Sequence, residues 1–246
     1  MNTLYTYLLS IFYRTSLIVV DVQNGFCTGG GLPVPDGDAV VPVINQLRAY
    51  LSVFHKAITV LTQDFHPPTH WSFHINNPGS TLFQMWELAN GVMQMMWPVH
   101  CVQGTKDADF HPALYVKETD RKFKKGKHEK TDSYSGFGDA TMKLEDTGLL
   151  DYLLSMWVYR VIVVGLATDY CVKATIMHVQ EFGFQSYLVL SACRGVAPES
   201  TAAAIEEMRT SHLDADGKPK IVKRTGRPMI PIIIVADLNE LKRVLV

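Results

Sequence analysis

Four short apolar runs, rich in β-branched residues, constrain this chain more than any other feature. They are Leu17-Ile18-Val19-Val20 before Asp21, residues 57–62 before Asp64, Val161-Ile162-Val163-Val164 ahead of Cys171, and Tyr187-Leu188-Val189-Leu190 before Ser191-Ala192-Cys193. Continuous runs of this length suit strands covered on both faces, the condition met in parallel sheets. Helical patterns lie between them. Residues 40–54 place Val40, Val43, Ile44, Leu47 and Leu51 on one face, and residues 148–159, 172–182 and 200–212 supply three more helices, the last with Pro198 and Ser200 as start signals. Strands alternating with helices predict an α/β, doubly wound parallel sheet with helices on both faces. The run at 230–235 adds an edge strand followed by a short helix.

The chain has 246 residues, 47% of them apolar, and a formal net charge of -1. This length fits one large α/β domain, and no stretch reads as a linker, so residues 1–246 are expected to form a single domain. The balanced charge gives no reason to expect nucleic acid or a membrane surface as partner. Four widely spaced cysteines without a C-x-x-C pair do not make a disulfide framework, and a reducing, cytoplasmic setting is the default expectation. The apolar start, residues 4–13, is short and ended by Arg14, with no basic residue before it and no small-residue cleavage site after it, so it reads as a packed extension rather than a signal peptide or membrane span.

The chemistry-bearing residues stand where the strands end. Cys171, in Gly165-Leu166-Ala167-Thr168-Asp169-Tyr170-Cys171, falls where a buried strand hands over to a helix. Free N–H groups there favour a thiolate and can hold an oxyanion. Asp21 has the same address on another strand and reads either as a general base or as a turn cap. Asp64-Phe65-His66 pairs a carboxylate with an imidazole suited to a divalent ion, with His70 and His100 competing to be the third ligand. Lys125, before Gly126, is one of several bases in the run 117–130, which by itself reads as a solvated loop. The loop Asp132-Ser133-Tyr134-Ser135-Gly136-Phe137 brings aromatic residues. Cys193 is the rival nucleophile, though it lacks a helix start beside it.

Five blocks occur in order: Asp21-Val22-Gln23-Asn24-Gly25-Phe26, Asp64-Phe65-His66-Pro67, Trp97-Pro98-Val99-His100-Cys101, Lys125-Gly126 with Asp132-Ser133-Tyr134-Ser135, and residues 165–171. Together they resemble the nicotinamidase branch of the isochorismatase-like cysteine hydrolases, over a core of about residues 17–212. The resemblance implies a three-layer α/β/α sandwich around a mostly parallel sheet of about six strands. It implies a catalytic triad of Asp21, Lys125 and Cys171, an oxyanion hole at Ala167 and Cys171 beside a cis Leu166–Ala167 peptide, and a pocket formed by Phe26, Trp97 and Tyr134. It also implies one divalent metal ion on Asp64, His66 and His100, with Zn²⁺ first and Mn²⁺ or Fe²⁺ also suited, and His70 as a further ligand in some relatives.

The activity implied is deamidation of nicotinamide to nicotinate and ammonia, through a cysteine thioester, in NAD salvage. Pyrazinamide is expected to fit the same pocket, and assembly as a homo-oligomer is common in the family. Two other readings compete. One is a different hydrolase of the superfamily, which would not need a metal for a ring nitrogen. The other is an inactive binding module, which would be expected to have lost triad members. The Met- and aromatic-rich stretch 75–96 lies outside the five matching blocks and reads as a long insert that covers the pocket or packs a subunit interface, while the extensions before Leu17 and after Asp214 match no motif.

Overall fold

The computed structural model describes residues 14–139 and 145–245. The extension at residues 4–13 lies outside them. Six strands form one sheet in the order β5-β2-β1-β6-β7-β8, all neighbours parallel. They are β1 (Arg14–Val20), β2 (Ile58–Asp64), β5 (Arg121–Lys125), β6 (Val158–Leu166), β7 (Gln185–Arg194) and β8 (Ile233–Val235). The four runs seen in the sequence are the cores of β1, β2, β6 and β7. Leu17, Ile18, Val161, Ile162, Val163 and Val164 are all wholly buried, which is why these strands lack polar alternation.

Helices flank the sheet: α1 (Val40–His55), α2 (Leu149–Ser155), α3 (Lys173–Glu181), α4 (Pro198–Thr210) and α5 (Leu238–Val244). The crossover through α1 leads from β1 to β2, and those through α3 and α4 lead from β6 to β7 and from β7 to β8, in the other direction across the sheet. Right-handed crossovers running in opposite directions put their helices on opposite faces. No helix among the described residues is long and apolar enough to cross a membrane.

Two expectations change. The helix predicted over 148–159 stops at Ser155, because Trp157 takes a left-handed conformation (φ 56°) and Val158 already begins β6. The basic run 117–130 is not a solvated loop: its centre is β5, with Phe123 and Lys125 turned inward and Arg121, Lys122 and Lys124 outward. Charges that alternate with buried side chains are the period-2 mark of a strand, hidden here by the density of lysine.

The chain reverses its direction across the sheet between β1 and β6, which are neighbours although far apart in sequence. Side chains beyond the carboxyl ends of strands meet in the crevice at such a switch point. At Gly165 the two strands press together: a Cβ there would stand 2.1 Å from Val20 O, and φ is +120°. Only glycine permits both the contact and the conformation. Stretch 75–96 carries a small antiparallel hairpin of β3 (Met85–Glu87) and β4 (Met93–Met95).

Candidate active site

Asp21, Asp64, Lys125 and Cys171 come from the ends of β1, β2 and β5 and from the turn after β6, and all four are buried. The Lys125 ammonium stands at their centre. Its Nζ lies 2.9 Å from Asp21 Oδ2 and 3.4 Å from Cys171 Sγ, and it forms a close ion pair with Asp64 Oδ1. A carboxylate oxygen of Asp21 and the sulfur lie within 4.8 Å of each other. Thr62 Oγ1 donates to Asp21 Oδ1 at 2.7 Å. The other oxygen, Oδ2, receives no well-directed hydrogen bond despite its proximity to Lys125, so a buried lone pair is left for a proton.

Burial pushes the Cys171 thiol well up, the Lys125 charge pulls it back, and Asp21 and Asp64 push it further. This corrects the expectation that a helix start would favour a resting thiolate. Residues Thr168–Val172 form a π turn before α3, and burial among carboxylates outweighs any helix-end effect. Burial also raises the Asp21 carboxyl above its ordinary value, with Lys125 opposing, so it holds a proton more readily than a surface aspartate. Asp64 goes the other way: burial would raise it, but Lys125 and His66 hold it low. Cys193, the rival thiol, is pushed up to about 12 by burial, which outweighs the opposing Gly165 hydrogen bond and Arg194 charge, and it lies in the buried core.

Asp64, His66 and His100 converge beside this cluster. Asp64 Oδ2 lies 3.5 Å from His66 Nε2 and 4.0 Å from His100 Nε2. Each imidazole turns Nδ1 to a backbone carbonyl, His66 to Gly126 at 2.9 Å and His100 to Pro98 at 2.7 Å. Nδ1 must therefore carry the proton, and both Nε2 lone pairs face the carboxylate, as metal-ligating histidines are set by their outer partners. Burial, then His66, lowers His100 to about 4, so it stays neutral. Burial works against a charge on His66, but the Asp64 carboxylate outweighs it and raises that imidazole above its ordinary value, so a cation and a proton compete for its Nε2. A carboxylate and two imidazoles with converging donors fit a divalent metal ion. His70 packs on His66 with ring centroids 4.2 Å apart, but its nitrogens are taken by Ser72 Oγ (2.7 Å) and the Thr131 carbonyl (3.2 Å).

Gly126 makes this packing possible. Its φ is +62°, and a Cβ there would stand 2.4 Å from His66 Cε1. The turn is held from behind by Glu145, whose carboxylate accepts from Gly126 N at 2.6 Å and from Lys127 N at 3.1 Å.

One pocket joins the thiol to the metal donors. Phe26, Trp97 and Tyr134 all line it, together with Ala167, Cys171, His66 and His100. The Leu166–Ala167 peptide is cis. Trp97 Nε1 donates to Tyr134 Oη at 3.1 Å, and Tyr170 stands edge-on to Trp97 at 4.8 Å.

Several supporting residues were not singled out in the sequence. Gln23 receives Asp64 N at 2.8 Å and returns a bond to Asp64 O at 2.9 Å, a side chain acting as a strand rung. Thr62, Tyr170 and Glu145 are the others. Thr62 sits two residues before Asp64 in β2, on the same side of an extended strand, and that spacing was the available signal. Gln23 follows Asp21 in a tight turn, where Asp21 is left-handed (φ 49°), and no periodicity marks it. Glu145, remote in sequence, left none.

The isochorismatase domain model matches residues 15–215. A nicotinamidase of Acinetobacter baylyi is 42% identical over 181 residues, 74% of this chain and 81% of that protein. Among solved structures, a Pyrococcus horikoshii pyrazinamidase in complex with zinc has a TM-score of 0.67 and 32% identity, covering 91% of this chain and 99% of that one. The yeast nicotinamidase bound to the inhibitor nicotinaldehyde has a TM-score of 0.77 and 26% identity, covering 91% of this chain and 100% of that one. The chain belongs to the isochorismatase family, whose fold it carries.

Proposed function

We propose that this family member is a nicotinamidase, an amidohydrolase that converts nicotinamide and water to nicotinate and ammonia. The observation that carries the reading is the meeting of two clusters in one pocket: Cys171 with Lys125 and Asp21, and Asp64 with His66 and His100. A different hydrolase of the superfamily would have no use for the second cluster. Relatives that are nicotinamidases by name, and a relative solved with zinc, support the same reading.

In this reading Asp21, through its free Oδ2 lone pair, takes the Cys171 proton as sulfur attacks the carboxamide carbon. The C–S bond forms, and backbone N–H groups of Ala167 and Cys171 hold the oxyanion. Asp21 returns the proton to the nitrogen, the C–N bond breaks, and ammonia leaves a thioester. Asp21 then takes a proton from water, which attacks the thioester carbon. The C–S bond breaks, Asp21 returns its proton to the sulfur to restore the thiol, and the acid formed gives up its own proton to solvent and leaves as nicotinate. Lys125 fixes Asp21 and offsets the charge growing on sulfur. Phe26, Trp97 and Tyr134 hold the flat ring by apolar and aromatic contact.

Asp64, His66 and His100 would hold the divalent cation, for which Zn²⁺ suits the mixed donors best. When bound, it supplies a Lewis acid for the pyridine nitrogen and so orients the ring. The deciding experiment is ammonia release from nicotinamide and from pyrazinamide by wild type and by Cys171→Ala, with and without chelator. Release is expected in wild type, lost in Cys171→Ala and reduced by chelation. Substantial turnover by the variant would sink the assignment.

A further inference from the structure

The loop after β5 brings a third carboxylate to the pocket, and the reaction steps above do not use it. Asp132 lines the same cavity as Asp64, Trp97 and Cys171 and is half-buried. Its oxygens are met by neutral donors: Gln94 Nε2 at 2.8 Å and Ser133 N at 2.8 Å. Asp21 and Asp64 are both paired with Lys125. Asp132 has no such cation among the described residues. Its charge is nonetheless felt across the pocket, where it helps to raise the Cys171 thiol, the Tyr134 hydroxyl and the His66 imidazole.

The residue that holds it comes from stretch 75–96, outside the five matching blocks. Gln94 lies in β4, buried, and its amide reaches both Asp132 and Tyr134 Oη, the latter at 3.3 Å. The hairpin therefore fixes a charged side chain on the pocket wall by a hydrogen bond that leaves the charge in place.

Substrate and product of the proposed reaction share one ring and differ by one negative charge. A fixed carboxylate on the wall costs the neutral amide little and repels the acid. We propose that Asp132 is a selectivity residue that makes the pocket disfavour the carboxylate product, with Gln94 as its positioning residue. This rests on the nicotinamidase reading. Its sign does not depend on the bound cation, since removing one negative charge favours an anion whether or not the metal is there.

The test is titration calorimetry of the metal-loaded protein with nicotinate, and with 3-methylpyridine as an uncharged ring probe. Asp132→Asn should bind nicotinate about tenfold tighter and 3-methylpyridine nearly as wild type does. Asp132→Ser, a second way to remove the charge, should shift the same way. Gln94→Ala keeps the charge and should stay nearer to wild type for nicotinate than either. Unchanged nicotinate affinity in both charge-removing variants, or equal shifts for both probes, overturns the proposal and makes Asp132 a structural residue. Failure of wild type to release ammonia from nicotinamide is a separate result and strikes the functional reading instead.

Discussion

The two ends of β5 are each tied by a buried ion pair, and the ties differ in kind. Just before the strand, Asp120 meets Arg48 of α1 at 2.7 Å, and Asp120 also accepts from Lys117 N at 2.7 Å. At the far end, Lys125 meets two carboxylates and a thiol. The first pair is closed: one cation, one anion, and hydrogen bonds that use up the acceptors. The second is open, with more acids than it has cations, an oxygen without a directed hydrogen bond and a thiol in reach. Burial of charge is common to both, so burial alone does not mark a reactive site. An unbalanced set of partners does.

Lys125→Met gives the widest separation of the two ends. Turnover of nicotinamide should fall by about 10⁴-fold, the scale seen when one member of a concerted catalytic unit is removed. Single-turnover kinetics with near wild-type activity would dissolve the contrast. Arg48→Met should do the opposite. It leaves Asp120 charged, buried and unpaired, at a cost of about 3–5 kcal/mol in chemical unfolding, while the folded fraction keeps its kcat. The double variant Arg48→Met with Asp120→Leu should recover much of that stability.

Thr62→Val asks for less. It removes the hydrogen bond on Asp21 Oδ1 but leaves the lysine, so kcat should drop about 10- to 100-fold, with metal content unchanged by elemental analysis. Cys193→Ala is the smallest change. Because burial holds this thiol protonated, kcat should stay within about twofold of wild type, and a larger loss would show that its neighbour on β6 depends on it.

The order of strands and helices was legible because buried parallel strands write themselves as unbroken β-branched runs, as in β1 and β6. Those runs also predicted which residues would stand at the carboxyl edge. Beyond that, Lys125 was legible only through family resemblance, since its strand alternates lysines outward with Phe123 and Lys125 inward and looks like a charged loop. The helix before β6 was overrun by four residues because Trp157, which turns the chain, is not a residue that announces a left-handed turn. Glu145 and Gln94 support the site from remote sequence positions by side-chain hydrogen bonds, which leave no periodic trace.

Gly165 carries a consequence for the chemistry. Beside it, β1 and β6 pack backbone against backbone, and just past that point one strand ends in Asp21 while the other turns toward Cys171, the base and nucleophile of the proposed reaction. Any side chain there would act as a wedge, prising Asp21 from Cys171 at the place where the proposed reaction moves a proton. The gap over which this protein would pass that proton is gauged by a methyl group that the chain leaves out.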